Sequence, residues 1–348
     1  MRARAVIGAN FGDEGKGLTV DYLCAKGAGM VVRFNGGAQA GHTVVTPDGK
    51  RHVFQHFGSG TFCGVPTFLS QFFVCNPLLF LQELDALVKL GVTPTVYAHP
   101  TCIVSTFADM MINQAKEDKR GDARHGSVGL GVHETVVRSK VDELKITMSD
   151  LWNGTDLRSR LAEICDKYAR FRTGEPIKDA EPMIEAFCGF AAKFAEAVGP
   201  LGMDQCEDPV FEGAQGLLLD QNNKAFHPHV THSNTGMANV RALCAQAGID
   251  RVDVHYVSRT YLTRHGAGPL PGENSGMSFE DKTNVDHAYQ GRIRFAPLDT
   301  GLIDRCRADA AGEKFSLVLT HCDQLAPAIN SDYRSFGETR KDVSLGSA

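Results

Sequence analysis

Short apolar segments recur along this chain, and several of them are separated by segments in which apolar residues follow helical spacing. The helical patterns cover residues 77–90, 156–171 and 183–198. Because strands that alternate with helices tend to pair in parallel, the pattern predicts an α/β fold with a largely parallel central sheet and flanking helices. The strands that we predict cover residues 5–7, 29–34, 72–74, 95–97, 209–211, 252–257 and 315–319.

Glycine-bearing loops follow the first, second, fifth and sixth of these predicted strands. Such loops lie at the carboxyl ends of the strands, where open α/β sheets bind ligands. The sequence shows no internal repeat, low-complexity tract or Pro/Ser-rich linker. The simplest interpretation is one continuous domain over residues 1–348, with a helical insertion at about 140–205.

The first of these loops reads Gly-Asp-Glu-Gly-Lys-Gly at residues 12–17, directly after an apolar segment. Its glycines leave backbone N–H groups uncovered, and together with Lys16 they form a cradle for phosphate oxygens. A carboxylate beside phosphate is unfavourable unless it binds Mg²⁺ or accepts a proton from the substrate. The acidic pair Asp13 and Glu14 therefore indicates chemistry on a nucleotide as well as binding of one.

Two familiar phosphate-binding motifs do not match this loop. A Walker A motif has a glycine where this chain has Asn10, and a hydroxyl residue where it has Gly17. The dinucleotide fingerprint fails because the glycines fall at positions 12, 15 and 17. An NAD-dependent oxidoreductase is therefore disfavoured, and a glycine-rich turn with only a structural role stays an alternative.

The second loop combines glycines with one titratable side chain, in the sequence Asn-Gly-Gly-Ala-Gln-Ala-Gly-His-Thr at residues 35–43. The imidazole of His42 can donate or accept a proton near neutral pH, which suits acid/base catalysis. A buried structural histidine is the alternative. The presence of a second glycine-rich loop favours the catalytic interpretation.

Composition narrows the class of protein. A net charge of −5 gives no basic surface for binding nucleic acid. The ten cysteines include no Cys-x-x-Cys pair, which argues against a structural zinc site and for reduced thiols in a cytoplasm. No segment approaches the roughly 18 apolar residues that span a bilayer. We therefore expect a soluble cytoplasmic protein without nucleic-acid or membrane partners.

The two glycine-rich loops resemble those of the adenylosuccinate synthetase family, in which Gly-Asp-Glu-Gly-Lys-Gly is followed by Gly-Gly-x-x-Ala-Gly-His-Thr. The second motif lies here at residues 36–43, and further family-like segments follow in the expected order. These segments are Phe-Glu-Gly-Ala-Gln-Gly at 211–216, Thr-His-Ser-Asn-Thr at 231–235, Arg-His-Gly-Ala-Gly-Pro at 264–269, Gly-Arg-Ile-Arg at 291–294, Thr-His-Cys-Asp at 320–323 and Ser-Phe-Gly at 335–337. The chain is thereby identified as a member of this family.

The resemblance implies a ligase that joins the amine of L-aspartate to C6 of a purine nucleotide. Asp13 would remove the purine N1 proton, and O6 would then attack the γ-phosphate of a nucleoside triphosphate. Lys16 and a protonated His42 would stabilise the transferred phosphoryl group, and Asp13 and the Gly41 carbonyl would bind Mg²⁺. The resemblance also implies a homodimer.

The resemblance further assigns residues to each substrate. Those for the triphosphate are Gly12, Glu14, Gly15, Lys16, Gly17, Gly41, His42, Thr43, Asp323, Gln324, Ser335 and Gly337. Those for the purine nucleotide are Asp13, Gln39, Ser127, Val128, Arg138, Gln215, Thr231 and Gly266. Those for aspartate are Gln290, Gly291, Arg292 and Arg294. Guanidinium groups suit this last role because they bind carboxylates bidentately.

Four segments depart from the usual family pattern and look more like the phage branch, namely residues 36–42, 55–60, 125–129 and 289–294. Enzymes of that branch use dGMP in place of IMP and make N6-succino-2-amino-2′-deoxyadenylate, the precursor of diaminopurine in phage DNA. The departures favour dGMP with ATP or dATP, in a host cytoplasm. IMP with GTP is the alternative, and it is favoured by the retention of Asp13, which some phage members replace with a smaller residue.

Other interpretations stay open for several residues. Arg138 either reaches across a dimer interface to the nucleotide phosphate or is solvated. His56 and His125 are either packing and substrate contacts or catalysts. The histidines at 227, 229 and 232 suggest a metal site, which the lack of a nearby cysteine or carboxylate disfavours. A nucleotide-binding regulator without turnover is a further alternative, although the catalytic residues are retained.

Overall fold

The computed structural model describes residues 2–121, 127–284, 292–299 and 301–346. The strands in these ranges are β1 (Ala3–Gly8), β2 (Met30–Arg33), β3 (His42–Val45), β4 (Arg51–Phe54), β5 (Thr67–Leu69), β6 (Val74–Cys75), β7 (Val96–Ala98), β8 (Ile103–Val104), β9 (Gly199–Pro200), β10 (Pro209–Gly216), β11 (Val252–Arg259), β12 (Tyr261–His265), β13 (Ile293–Pro297), β14 (Phe315–Thr320), β15 (Tyr333–Ser335) and β16 (Val343–Leu345). Ten of these strands form one sheet in the order β16-β15-β14-β11-β1-β10-β2-β5-β7-β9. Only the β15–β16 pair is antiparallel among these neighbours, which confirms the predicted largely parallel sheet.

Helices flank the sheet. Those in the described ranges are α1 (Lys16–Ala25), α2 (Pro77–Lys89), α3 (Phe107–Arg120), α4 (Val132–Arg138), α5 (Met148–Trp152), α6 (Leu157–Glu163), α7 (Ala169–Thr173), α8 (Glu181–Ala197), α9 (Met237–Ala247) and α10 (Leu302–Ala310). The helices predicted at 77–90 and 183–198 correspond to α2 and α8. The one predicted at 156–171 is α6 and α7, joined by a π-helical turn at Ile164–Tyr168.

Helix α2 begins where local chemistry favours a start. The side chain of Asn76 accepts a hydrogen bond from the backbone N–H of Leu79 at 3.1 Å, and Pro77 occupies the first turn. Its apolar face packs Phe80 against Phe194 of α8, with ring centroids 4.7 Å apart. Helices α5 to α8 lie within the segment predicted as a helical insertion, and the assignment to a single domain stays a prediction.

Strand β1 lies in the middle of the sheet, and all six of its residues are buried. Side chains alternate between the two faces of a strand. Ile7 belongs to the same apolar cluster as Phe211 and Met237, whereas Val6 belongs to another with Val20 of α1. Apart from Arg4 the strand is apolar, as is typical of a strand covered on both faces, which explains why this segment was recognised in the sequence.

The predicted strand at 72–74 is wrong as a member of the central sheet. The sheet strand is β5, at Thr67–Leu69, whereas β6 pairs with β8 in a separate two-stranded ribbon. Residues 67–75 are apolar apart from the first residue and a Ser-Gln pair, so that the pattern does not show which part enters the sheet. In the described part of the chain, no helix combines the length and apolar character needed to cross a membrane.

Candidate active site

A cavity of about 520 Å³ lies at the carboxyl ends of the central strands, a size typical of small-molecule sites. It is lined by the loops that follow β1, β10 and β14, by the start of β3, and by residues 280–284. The lining includes fourteen of the residues that the sequence assigned to substrates. These are Gly12, Asp13, Glu14, Gly15, Lys16, Gly17, Gln39, Gly41, His42, Thr43, Gln215, Asp323, Gln324 and Gly337.

The carboxylate of Glu14 shapes the first loop from inside. Its oxygens accept hydrogen bonds from the backbone N–H groups of Asn10 at 2.7 Å and Gly12 at 3.2 Å. Burial raises the pKa of Glu14 to about 7, although Lys16 and these hydrogen bonds act in the opposite direction. Because both side-chain oxygens bind the loop's own backbone, Glu14 can contact a phosphate only through its main chain.

The first loop ends where helix α1 begins. Gly15 has φ +88°, and a Cβ added there would lie 2.8 Å from Cγ2 of Thr320, so only glycine fits. The N-terminal turn of α1 then presents free N–H groups, which favour anions. Lys16, in this turn, is buried at 4% exposure, and burial lowers its pKa while Glu14 raises it. The arrangement suits the phosphates of a nucleotide.

Three residues other than glycine line the cavity with left-handed backbone conformations. Asp13 has φ 55°, Gln215 φ 58° and His321 φ 58°. Such conformations are uncommon for residues with a Cβ and persist where surrounding contacts fix them, often at functional sites. For Asp13, the backbone carbonyl accepts a hydrogen bond from Nε of Arg259 at 2.5 Å.

His42 is held by a buried carboxylate. Its Nδ1 lies 2.6 Å from Oε1 of Glu212, and the same oxygen accepts a hydrogen bond from the Ser59 hydroxyl. The other oxygen of the carboxylate, Oε2, lies 3.7 Å from a terminal nitrogen of Arg33. Burial acts to raise the pKa of Glu212, but the opposite effect of Arg33, His42 and Ser59 is larger and lowers the pKa to about 2. Glu212 is therefore ionised, and Nδ1 of His42 donates to it.

Burial lowers the pKa of His42 to about 4, although the Glu212 carboxylate acts in the opposite direction. The imidazole is therefore neutral near pH 7 in the protein without nucleotide. The protonated His42 expected during phosphoryl transfer stays a prediction. Its Nε2 is buried and has no hydrogen-bond partner within the described ranges. A neutral Nε2 without a partner in the cavity is an acceptor available to a ligand.

Two carboxamides in the cavity also have unsatisfied oxygens. The Oε1 atoms of Gln39 and Gln215 are buried and lack a partner among the described residues. A Cβ added to Gly36 would lie 3.7 Å from Nε2 of Gln39 and 3.6 Å from Oε1 of Gln215, which places the two side chains beside each other. Buried polar atoms are normally hydrogen-bonded. These two acceptors therefore suit a ligand with N–H donors, such as a purine base.

The loop after β14 forms another part of the cavity wall. The Thr320 hydroxyl donates to the Glu14 carbonyl at 2.9 Å, which fixes this loop against the first one. Asp323 and Gly337 line the cavity, whereas Ser335 does not: it is fully buried, and its hydroxyl donates to the Gly337 carbonyl at 2.8 Å. Ser335 therefore shapes the turn that Gly337 presents.

The structure corrects the sequence prediction for Arg138. Its side chain is fully buried and forms an ion pair with Asp109, with Nε–Oδ1 at 2.8 Å and a second nitrogen bonded at 2.9 Å. It also donates to the carbonyl of Val104 at 2.8 Å and to that of Leu144. With its donors used in the core, Arg138 is neither a solvated arginine nor one extended toward a partner subunit or a nucleotide.

Other predicted residues lie outside the cavity lining. Arg294 pairs with Glu273 at 2.7 Å and donates to the Gly266 carbonyl at 2.8 Å, and Arg292 is exposed. Ser127, Val128, Thr231 and Gly266 are likewise absent from the cavity lining. Gln290 and Gly291 lie outside the described residues, as does His125.

Sequence reasoning missed several residues that support the site, among them Glu212, Arg33 and Arg259. Each is a charged residue in or at the end of a strand of the central sheet. Buried charges are rare unless they are paired, so this position was a signal available in the sequence. Their partners lie far away in the chain, and the sequence did not identify them.

The described residues contain no group of three or more His, Cys, Asp or Glu side chains arranged to hold a metal ion. A Mg²⁺ site in this part of the chain would therefore have fewer than three such side chains as ligands. Asp13 and Gly41 both line the cavity, and carboxylate and carbonyl oxygens are ligands that Mg²⁺ accepts together with phosphates and water. The donor set fits the predicted ion.

Comparisons with known proteins identify relatives along most of the chain. A family model described as adenylosuccinate synthetase matches residues 5–338. The adenylosuccinate synthetase of Alkalilimnicola ehrlichii is 34% identical over 284 residues, which are 77% of this chain and 64% of that protein. That of Ectopseudomonas mendocina is 31% identical over 339 residues, which are 92% of this chain and 77% of the relative. The chain thus spans only about two thirds of the length of some of these curated relatives.

Two solved structures share the fold. A fully ligated adenylosuccinate synthetase from Plasmodium falciparum superposes with a TM-score of 0.76 at 20% identity, covering 95% of this chain and 79% of that one. The succinoaminodeoxyadenylate synthetase of cyanophage S-2L, bound to dGMP and dATP, gives a TM-score of 0.65 at 17% identity, covering 100% of this chain and 96% of the other. With the family model matching nearly the whole chain, this protein belongs to the adenylosuccinate synthetase family.

Proposed function

We propose that this protein is a ligase that joins L-aspartate to a purine nucleotide and consumes a nucleoside triphosphate. The observation that carries the proposal is a single cavity lined by the phosphate-type loop with Asp13 and Lys16, by His42, and by Asp323. The glycine-rich loop suits the triphosphate tail, and the loop with Asp323 suits the base of the donor. The unsatisfied oxygens of Gln39 and Gln215 suit the acceptor purine.

In the first step, the Asp13 carboxylate accepts the N1 proton of the purine, and the electron pair moves to O6. O6 forms a bond to the γ-phosphorus while the bond from that phosphorus to the bridging oxygen breaks, which releases a nucleoside diphosphate. Lys16 stabilises the charge that develops on the leaving diphosphate. Mg²⁺ held by Asp13 and the Gly41 carbonyl would offset the remaining phosphate charge when bound.

His42 acts in the same step. The negative charge of a bound triphosphate raises the pKa of a nearby imidazole. Nε2 of His42 then gains a proton and donates it in a hydrogen bond to the transferred phosphoryl group, while Nδ1 remains fixed by Glu212 at 2.6 Å. The same geometry is thus consistent with a neutral His42 in the absence of nucleotide and a protonated His42 during phosphoryl transfer.

In the second step, the amine of L-aspartate attacks C6 of the phosphorylated purine. The C6–N bond forms, the bond from C6 to the phosphoryl oxygen breaks, and inorganic phosphate leaves as the amine loses a proton. Arg292 and Arg294 are the proposed ligands of the aspartate carboxylates. Arg294 must release Glu273 to act in this way, because the two now form an ion pair at 2.7 Å.

Two acceptor nucleotides are candidates. The curated relatives are named adenylosuccinate synthetases, which supports IMP. Two observations support dGMP: the full-length match to the phage enzyme, whose chain is covered to 96%, and the two unsatisfied amide oxygens. With N1–H given to Asp13, the exocyclic 2-amino group of guanine still has two N–H donors for these acceptors, whereas hypoxanthine has none left on that edge. We propose dGMP as the acceptor and ATP or dATP as the donor.

The experiment is phosphate release in the presence of Mg²⁺ and L-aspartate, with ATP, dATP or GTP as donor and dGMP or IMP as acceptor. We expect the highest kcat/KM for dGMP with an adenine donor. Preference for IMP with GTP would replace this choice of substrates and leave the ligase proposal intact. No aspartate-dependent phosphate release with either acceptor would contradict the ligase and support a non-catalytic nucleotide-binding regulator.

A further inference from the structure

Arg259, at the end of β11, connects three separate parts of the site. Its Nε donates to the Asp13 carbonyl at 2.5 Å, one terminal nitrogen donates to the Tyr261 hydroxyl at 3.1 Å, and the other binds Oδ2 of Asp281 at 2.7 Å. The side chain is only 3% exposed. Each of its three nitrogens therefore has a different partner inside the protein.

The partner Asp281 belongs to a segment that crosses the cavity, which we call the 279–284 strap. Oδ1 of Asp281 accepts from the backbone N–H groups of Thr283 and Asn284, both at 2.9 Å, so the carboxylate folds the strap around itself. The Phe279 ring stacks on Tyr261 with centroids 3.9 Å apart. The Arg259–Asp281 ion pair is thus one of the contacts that hold the strap.

The strap is also tied to the loops that hold the donor. Gln324 donates to the Glu280 carbonyl at 2.9 Å, and Lys282 pairs with Glu338 at 2.5 Å. The Thr283 hydroxyl lies 3.2 Å from that of Thr43. Glu280 to Asn284 all line the cavity. A shift of the strap therefore moves one wall of the proposed triphosphate site.

On the other side, Arg259 acts on the residue that the proposed mechanism uses as the base. Asp13 has φ 55°, in the left-handed region that is uncommon for residues with a Cβ and that neighbouring contacts help to fix. The bond from Arg259 to the Asp13 carbonyl is such a constraint. Lysine could not replace it, because a single ammonium nitrogen cannot reach three acceptors held apart by a planar guanidinium.

We propose that Arg259 is a positioning residue for phosphoryl transfer, which fixes the strained backbone of Asp13 and couples it to the 279–284 strap. The inference rests on the proposed function of Asp13. Arg259 does not contact the reacting atoms. It holds the Asp13 carboxylate and the cavity wall in fixed relative positions, so that the base and the donor are aligned together. Misplacement of a reacting group by about 1 Å can cost on the order of 100-fold in rate.

The test compares Arg259→Lys with a matched control, Arg4→Lys. Arg4 is also buried at 3% exposure and donates to two backbone carbonyls, those of Leu23 and Gly27, away from the cavity. The first step is isolated by omitting aspartate and following positional isotope exchange in ATP labelled with ¹⁸O at the β,γ-bridge, with Mg²⁺ and the acceptor nucleotide. We expect Arg259→Lys to slow exchange by about 100-fold, with KM values within threefold, and Arg4→Lys to match the wild type.

A second measurement does not depend on activity. Amide hydrogen exchange in the absence of nucleotide should become faster in two peptides at once in Arg259→Lys, one covering residues 10–15 and one covering 279–284. Faster exchange in only one of them, or a raised KM with wild-type kcat, would overturn the coupling. Wild-type protein without isotope exchange for either acceptor would instead contradict the proposed function, and the two-peptide result would then decide the structural coupling on its own.

Discussion

Nδ1 of His42 lies 2.6 Å from Oε1 of Glu212, and neither side chain is more than 6% exposed. The carboxylate sets the tautomer of the imidazole, because the nitrogen that donates to Glu212 leaves Nε2 as the one that faces a ligand. Glu212 in turn is balanced by Arg33, whose guanidinium is fully buried. The hydrogen bond to Glu212 thus fixes the orientation of His42 in the cavity where we propose that the phosphates bind.

Glu212→Gln should therefore reduce catalysis and stability together. The amide can keep the shape but leaves Arg33 buried without its counter-charge, which should lower the free energy of unfolding by about 3 kcal/mol or more. Loss of the fixed tautomer should lower kcat by on the order of 100-fold. Urea unfolding and steady-state kinetics measure the two effects. Glu185→Gln is the control: it removes an exposed ion pair with Arg158 and should change stability by less than about 1 kcal/mol.

Asp13→Asn tests the proposed base with little disturbance of the loop, because asparagine tolerates the left-handed conformation that Asp13 adopts at φ 55°. An amide cannot accept the N1 proton, so turnover should fall by roughly 1,000-fold. Calorimetric titration should show binding of the triphosphate without Mg²⁺ within about threefold of the wild type. Turnover near the wild-type value would remove Asp13 from the role of base.

Gly15→Ala tests whether the first loop is as tightly packed as its geometry indicates. The new Cβ would lie 2.8 Å from Thr320, in a backbone with φ +88°. Gly312→Ala offers the matched control, since Gly312 also has a positive φ, of +98°, but open space around its Cβ. Both variants should lose about 1 kcal/mol from backbone strain. Only Gly15→Ala should weaken triphosphate binding, by tenfold or more; equal binding in the two variants would contradict the close packing.

Stability should fall as the solution becomes acidic, with His255 as one measurable cause. Burial lowers the pKa of His255 to about 4, below its ordinary value of 6.5. The unfolded chain therefore takes up a proton before the folded one does, so the stabilisation is present above pH 6.5 and is lost as pH falls toward 4. His255→Gln should reduce the difference in unfolding free energy between pH 7 and pH 4.5 by roughly 2 kcal/mol. His42 and His133, whose pKa values burial also lowers to about 4, should preserve the remaining slope.

The parts of the fold that the sequence predicted are those governed by local composition. Strands β1, β11 and β14 are neighbours in the central sheet and are rich in apolar residues, so they were recognised in the sequence. The loops after β1 and β11 were identified because glycine has a local conformational meaning, whereas the loop after β14 was identified only from its resemblance to the family. Where an apolar run was longer than one strand, as in residues 67–75, composition did not distinguish the sheet strand from the ribbon strand.

The supporting residues of the site were not predictable in the same way. Glu212 meets His42 across 170 positions, and Arg259 meets Asp13 across 246. These contacts depend on which strands become neighbours in the sheet, which local patterns do not encode. Arg138 shows the opposite error: a charge assumed to serve a ligand is neutralised in the core by Asp109.

The hydrogen bond from Thr320 to the Glu14 carbonyl joins positions 306 residues apart. The first loop therefore leaves the ribosome long before the strand that packs against it has been made. At ordinary elongation rates this interval lasts roughly 15 to 60 s. Until residue 320 has been made, the proposed donor site is incomplete, so a nucleoside triphosphate can be engaged only after that point in translation.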